Sequence, residues 1–279
     1  MYINIGVSCG IIALALLRSR FTNRLIQFVH DWYPVPMIFF SFKEMYVIIQ
    51  SFSGRDFDAT LIAIDRWIFR VDPTVWIAQF SSPLLTEILQ LSYTSFYFLM
   101  LAVGYELYVR KDEKNFSFVM FTFLYGFFLS YVGYLAVPAV GPRFTLHNFN
   151  TMNSELPGLY ATNFIRDFIN AGESIPANIA NPIVFAQRDA FPSGHTQMTL
   201  IAMYLAATFG LKSRYIIYIF GGLLIISTVY LRYHYVVDVI GGALFMLFTV
   251  WTAPMLFHWW EKHRENRNEN HYEYENKNH

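Results

Sequence analysis

Five uncharged runs of membrane-spanning length constrain what this chain can fold into. They cover Ile88–Tyr105, Asn115–Pro142, Ala190–Leu211, Tyr215–Leu231 and Val239–Trp260. A helix crosses a bilayer with roughly 17–25 predominantly apolar residues. Several such runs in one chain predict an all-α, polytopic transmembrane helix bundle, with loops too short for a separate soluble domain. Composition agrees: 14% of residues are charged, against about 25% in soluble proteins.

Two weaker segments extend the count. Met1–Leu17 is apolar and ends at Arg18-Ser19-Arg20. It lacks the positive leader of a signal peptide and reads as an uncleaved helix. Tyr33–Phe52 carries Lys43-Glu44, a pair expected to be neutralised near an interface. Seven spans result, a six-helix core plus an extra N-terminal helix. The predicted division is an N-terminal helix and basic turn over 1–32, a membrane-embedded domain over 33–260 and a disordered polar tail over 261–279.

Between the spans, Gly54–Ser82 reads as surface structure, and Leu61–Arg70 mixes apolar and charged residues as a helix lying on a membrane would. Asp72-Pro73 and Ser82-Pro83 each look like an N-cap followed by proline in the first turn. The long segment Gly141–Ala190 holds an amphipathic stretch near Leu159–Ile169. There Tyr160, Phe164, Ile165, Phe168 and Ile169 are expected to face lipid, opposite Asn163, Arg166, Asp167 and Asn170.

Seven spans divide the basic residues unevenly. One face receives Arg18, Arg20, Arg24, Arg110, Lys111, Lys114, Lys212, Arg214 and the basic residues of the tail; the other receives arginines and no lysine. Short lysine-containing loops mark the cytoplasmic side. Three polar motifs then fall together on the extracytoplasmic face: Gly141-Pro142-Arg143, Pro192-Ser193-Gly194-His195 and Arg232–Asp238.

Pro192-Ser193-Gly194-His195 opens an apolar helix. The free amides of a helix N-terminus bind anions. Gly194 would let a phosphate oxygen approach the backbone, the Ser193 hydroxyl would donate to it, and His195 would stand beside the leaving oxygen as general acid. In the third motif, residues four apart share a helix face. Asp238 is therefore expected to hydrogen-bond one ring nitrogen of His234 and leave the other free to attack phosphorus. The bland reading of each motif is a helix cap with an interfacial histidine.

Taken together, these stretches resemble the type 2 phosphatidic acid phosphatase superfamily, whose motifs run K-x6-R-P, P-S-G-H and S-R-x5-H-x3-D. The second is present in full at Pro192–His195. The third is matched at Ser227, His234 and Asp238, with Thr228 at its arginine position. The first keeps Arg143, with Ala136 at its lysine position and Phe144 at its final proline. The resemblance implies His234 as nucleophile, Asp238 as its partner, His195 as general acid and Arg143 as a phosphate ligand. The flavour of Ser227–Asp238 is closer to the inositol phosphorylceramide synthase-like branch, which transfers phosphoryl headgroups between lipids and alcohols such as inositol. Arg232 and Arg188 lie near the motifs and are candidates for the missing positive charge.

The expected function is an integral-membrane phosphatase or phosphotransferase acting on a lipid phosphate ester, with no metal and no cofactor. Water or an alcohol attacking the phosphohistidine would separate the two activities, and no residue decides between them. A haem-binding or transport protein is the non-enzymatic alternative, disfavoured because both histidines open their helices on one face. A net charge of zero argues against nucleic acid as a partner. Cys9, the only cysteine, excludes an intrachain disulfide.

Overall fold

A computed structural model describes residues 2–51, 56–176 and 179–277, with side chains over 4–51, 56–176 and 179–264. The described residues are helical and contain no strand. They divide into two compact units, 1–45 and 46–279.

The first unit holds α1 (Tyr2–Arg20), α2 (Arg24–Trp32) and the greater part of α3 (Pro34–Gln50). Asn23 caps α2, its side-chain oxygen accepting the amides of Leu25 and Ile26. The Glu44 carboxylate of the expected Lys43-Glu44 pair accepts from the Asn4 amide at 3.2 Å.

The second unit begins with α4 (Asp58–Phe69) and α5 (Pro73–Ile77), then α6 (Pro83–Thr94), α7 (Phe96–Val109) and α8 (Glu113–Ala136). The short helices α9 (Pro142–Thr145) and α10 (Met152–Glu155) lead to α11 (Thr162–Gly172). The apolar helices α12 (Gly194–Thr208) and α13 (Arg214–Tyr230) and the long α14 (Val236–Lys277) complete it. At its centre lies α12, packed against α7, α8, α13 and α14. Met198, Ile201, Ala202, Leu205 and Ala206 are sealed from solvent, as expected of a helix apolar all round.

Among the described residues, two helices can each cross a bilayer by length and composition: α8 and the Val236–Arg264 part of α14. The pair α6–α7, bent by 46°, makes a third. This is fewer than the seven spans predicted. The uncharged run Ala190–Leu211 includes the loop entering α12 and the turn at Gly210, so its helix keeps only 15 residues; α13 is likewise short at 17. Since α12 is walled in by protein, its length need not match the bilayer. Outward-facing Phe98, Phe128, Val132, Ile219, Leu244 and Trp251 are exposed on these helices, an apolar surface suited to lipid.

The bend between α6 and α7 has a local cause. The hydroxyls of Ser92, Thr94 and Ser95 donate back to the carbonyls of Ile88, Gln90 and Ser92, and such back-bonding bends helices. Of the two expected caps, Ser82 accepts the Leu85 amide. Asp72 makes no side-chain cap and instead takes the Arg66 guanidinium at 2.7 Å. The face of α4 carrying Asp58, Leu61 and Asp65 is buried in protein, while Trp67, Ile68 and Phe69 are exposed. On α11, Phe164 and Phe168 are exposed as predicted, but Ile165 and Arg166 are buried. The last helix continues beyond Glu261 to Lys277, where polar composition had suggested a disordered tail. No glycine or proline follows Pro254 to stop it.

Candidate active site

The loop Gln187–Pro192 and the segment Leu231–Tyr235 deliver the second and third motifs side by side. Ser193 donates its amide to the Asp238 carbonyl at 2.9 Å, which joins the N-termini of α12 and α14. The close approach needs glycine: a Cβ on Gly242 would lie 2.5 Å from the Ser193 carbonyl oxygen. A Cβ on Gly194 would lie 2.3 Å from the Tyr134 hydroxyl. Packing against Tyr134 is therefore sufficient reason for glycine there.

Ser193 is fully buried and its Oγ accepts the Thr196 amide, so it is a true N-cap with its own hydrogen still free to donate. Sequence suggested that the amides of Ser193, Gly194 and His195 are all open. With the Ser193 amide spent on Asp238, those of Gly194 and His195 remain as open donors among the described residues.

His234 is buried and its Nδ1 lies 2.9 Å from the Ala190 carbonyl oxygen. A carbonyl only accepts, so Nδ1 carries the hydrogen and Nε2 keeps its lone pair. The expected partner, Asp238, stands farther off, its Oδ2 at 3.5 Å from Nδ1. That oxygen accepts the Tyr235 amide at 2.8 Å instead, because an acid in the first turn of α14 has an amide closer to hand than the preceding side chain. Burial holds the His234 pKa down at about 4, with Arg143 acting the same way and Asp189 and the Ala190 carbonyl opposing. The imidazole is neutral at physiological pH.

His195 lies beside His234, ring centroids 5.8 Å apart. Its ring is clasped by Tyr93, stacked at 4.6 Å, and by Phe96 at 4.4 Å, the two residues flanking the α6–α7 bend. Tyr93 stacks in turn on Tyr233 at 4.5 Å, and the Arg143 guanidinium lies 4.8 Å from the Tyr233 ring centre. Arg143, Tyr233, Tyr93 and His195 form one column drawn from four separate segments.

Arg143 is buried and paired with Glu173. Two further carboxylates brace the loops that carry the motifs. Asp58 accepts the amides of Val140 and Gly141, and Asp65 accepts those of Val236 and Val237. Half-buried Asp189 has its carboxyl raised to about 6 by burial and the charge of Glu173, against His234 and Arg143.

Of the eight candidate residues, the structure brings His234, His195, Asp238, Arg143, Ser193 and Gly194 into this one neighbourhood. Arg232 and Arg188 are buried and paired with Glu155 and Asp56. Sequence reasoning missed Tyr93, Phe96, Tyr233, Glu173, Asp189, Asp58 and Asp65. Tyr233 and Asp189 stand next to the motifs and were open to inspection. The others come from distant segments with no local mark of their role.

The arrangement offers a neutral nucleophilic imidazole, a second imidazole beside it, two open helix amides and a buried guanidinium. That set suits attack on a tetrahedral oxyanion. Among the described residues, no group of three or more His, Cys, Asp or Glu side chains is placed to hold a metal ion.

A family model described as the PAP2 superfamily matches residues 59–252, a range that contains all three motifs. A protein of Dictyostelium discoideum described as a PA-phosphatase related-family protein is 30% identical over 178 residues, covering 57% of this chain. The chain spans 30% of that relative's length. No solved structure matches.

Proposed function

Because the chain belongs to the PAP2 superfamily, we propose that it is an integral-membrane enzyme that removes the phosphoryl group of a lipid phosphate ester through a phosphohistidine on His234. One observation carries this reading: the Nδ1–Ala190 hydrogen bond leaves Nε2 of a neutral, buried His234 free, beside His195 and on the same column as Arg143. The Nε2 lone pair attacks phosphorus and the bond from phosphorus to the ester oxygen breaks. His195, its pKa held down at about 3 by burial and by the charges of His234 and Arg143, takes up a proton once the negative phosphate lies beside it and gives that proton to the departing oxygen. A water then attacks the phosphohistidine and gives its proton to His195, releasing phosphate and restoring Nε2. The Gly194 and His195 amides and Arg143 hold the equatorial oxygens, so the reading requires no metal.

A lipid substrate is supported by the apolar outer surface and by α11, which exposes Phe164 and Phe168. An alcohol acceptor such as inositol in place of water keeps the first step and yields a phosphotransferase. The motif flavour of Ser227–Asp238 favours that version as the second reading. Basic-residue asymmetry puts the site on the extracytoplasmic face and the C-terminus in the cytoplasm.

The deciding experiment follows a labelled lipid phosphate with purified protein, with and without inositol, in EDTA. Phosphate release, and a labelled phosphoenzyme trapped in alkali that His234→Ala lacks, are expected. Activity restored only by a divalent cation would refute the mechanism. For sidedness, a cysteine in Gly141–Ala190 of a Cys9→Ser protein should react with an impermeant maleimide in intact cells, and one at Lys212 only after permeabilisation. The opposite pattern would reverse the orientation.

A further inference from the structure

The two site histidines are held in different ways. His234 finds a hydrogen-bond acceptor for Nδ1 in the Ala190 carbonyl. The His195 side chain makes no hydrogen bond or ion pair among the described residues, and ring faces hold it instead. Tyr93, in the last turn of α6, lies 4.6 Å from it at 26°, and Phe96, the first residue of α7, lies 4.4 Å from it at 42°. Both are buried. Tyr93 is stacked as well on Tyr233, at 4.5 Å and 14°, which leaves its ring little room to turn. The charged groups that act on His195 are Arg143 and His234, and both oppose its protonation. A histidine that carries a proton to a leaving oxygen needs a neighbour that favours its cation. An aromatic face does so within about 6 Å of its centre, most of all where water is excluded. Both rings lie inside that reach.

We propose that Tyr93 and Phe96 are positioning residues for His195, fixing its plane and stabilising its protonated form where a carboxylate does so for other catalytic histidines. The inference rests on the phosphoryl-transfer reading above, in which His195 protonates the departing oxygen. Stacking leaves both ring nitrogens without partners, so one can point its proton at the ester while the faces hold the ring. A carboxylate in the same place would favour the imidazolium more strongly, but it would also repel the incoming phosphate. Neutral ring faces favour the cation without that repulsion. The two rings stand on either side of the 46° bend between α6 and α7, so the bend sets the angle at which they meet His195.

The test uses full-length protein in detergent and compares Tyr93→Phe with Tyr93→trifluorophenylalanine. Fluorination keeps the shape of the ring, so packing survives, but drains its face of negative potential. Tyr93→Phe should keep kcat within about twofold of wild type. The fluorinated variant should lose about tenfold in kcat on an alkyl phosphate, with KM and an activated aryl phosphate little changed. The alkaline limb of kcat should move down by about one pH unit, because a less stable imidazolium gives up its proton at lower pH. Equal losses on both esters, or a fluorinated variant as active as Tyr93→Phe, would overturn the proposal. NMR of isotope-labelled histidine, assigned with His195→Gln, reads the His195 protonation midpoint without turnover. In protein saturated with inorganic phosphate that midpoint should fall on fluorination, and an unchanged midpoint would overturn the proposal too. A falling midpoint in a protein that turns over no phosphate ester would sink the phosphoryl-transfer reading and leave the clasp standing.

Discussion

Tyr235 donates its phenolic hydrogen to Asp58 at 2.8 Å, across 177 positions of sequence. The same carboxylate takes the amides of Val140 and Gly141, just ahead of Arg143. One helical turn-pair further along α4, Asp65 takes the amides that open α14, just after His234. Two acids on the buried face of one short helix thus hold the segments that carry Arg143 and His234, the proposed phosphate ligand and nucleophile.

Removing those acids should disturb structure and rate together. Each leaves buried amides without an acceptor, and a lost charged cap costs roughly 2 kcal/mol. Asp65→Ala is expected to lower the thermal midpoint and to reduce kcat more than it changes KM, because the His234 segment loses its anchor. Asp58→Asn, which keeps the size, should be milder in stability yet still slow turnover. Thermal unfolding in detergent beside steady-state kinetics tests this; wild-type kcat in both variants would show that α4 has no part in positioning the site.

The two histidines should separate by leaving group. His234→Ala removes the nucleophile and is expected to abolish turnover of every ester. His195→Ala should block an alkyl phosphate, whose departing alkoxide must be protonated, while sparing much of the activity on an activated aryl phosphate. A loss of the expected 10²–10⁴-fold order on the alkyl ester alone would support the acid role. Equal losses on both esters would dismiss it.

The acid limb of the pH profile should lie unusually low. Attack requires neutral His234, and burial keeps its proton off down to about pH 4, whereas an ordinary histidine is charged below about 6.5. The limb of kcat/KM assigned to His234 is therefore expected near pH 4. The unfolded chain takes up this proton at higher pH than the folded one, so the same residue also withdraws stability as pH falls below about 6.5. Asp189 pulls the His234 pKa upward, so Asp189→Asn should move the limb lower still. A limb at an ordinary histidine position would contradict the buried, neutral imidazole.

What was legible in the sequence follows from what local chemistry records. Helical class could be read from uncharged runs, and the His195 and His234 motifs from their spacing, because both are properties of neighbouring residues. The helix lengths were not legible, because a run such as Ala190–Leu211 is shared between helix, entry loop and terminal turn. Spacing brought Asp238 Oδ2 within 3.5 Å of the His234 Nδ1 but could not reveal that the Tyr235 amide lies nearer or that the Ala190 carbonyl faces Nδ1. The clasp of Tyr93 and Phe96 on His195 depends on a bend between α6 and α7 and on long-range packing. Neither leaves a periodic trace. Arg166 was placed on the polar face of an amphipathic stretch; in the fold it is buried beside Ile165, while Asn163 and Asp167 of that face stay exposed.

Glu173 pairs with Arg143, and on the proposed reading it holds a donor that a phosphate oxygen would take. The guanidinium is buried and gripped between the Phe144 and Tyr233 rings, 4.7 and 4.8 Å from its centre, so it cannot easily swing to a second position. An incoming phosphate must compete with the carboxylate for the same donors. Glu173→Gln keeps the shape, removes the competing charge and leaves Arg143 a weaker, neutral acceptor. It is expected to lower KM for a phosphate monoester and the inhibition constant of orthovanadate by several-fold, because the amide oxygen retains part of the net ~1.5–3 kcal/mol that a charged hydrogen bond contributes. A higher KM in Glu173→Gln would mean that the carboxylate orients Arg143 for the substrate instead of excluding it. Measuring both constants across ionic strength separates competition from general loss of charge, since only the surface contribution is screened by salt.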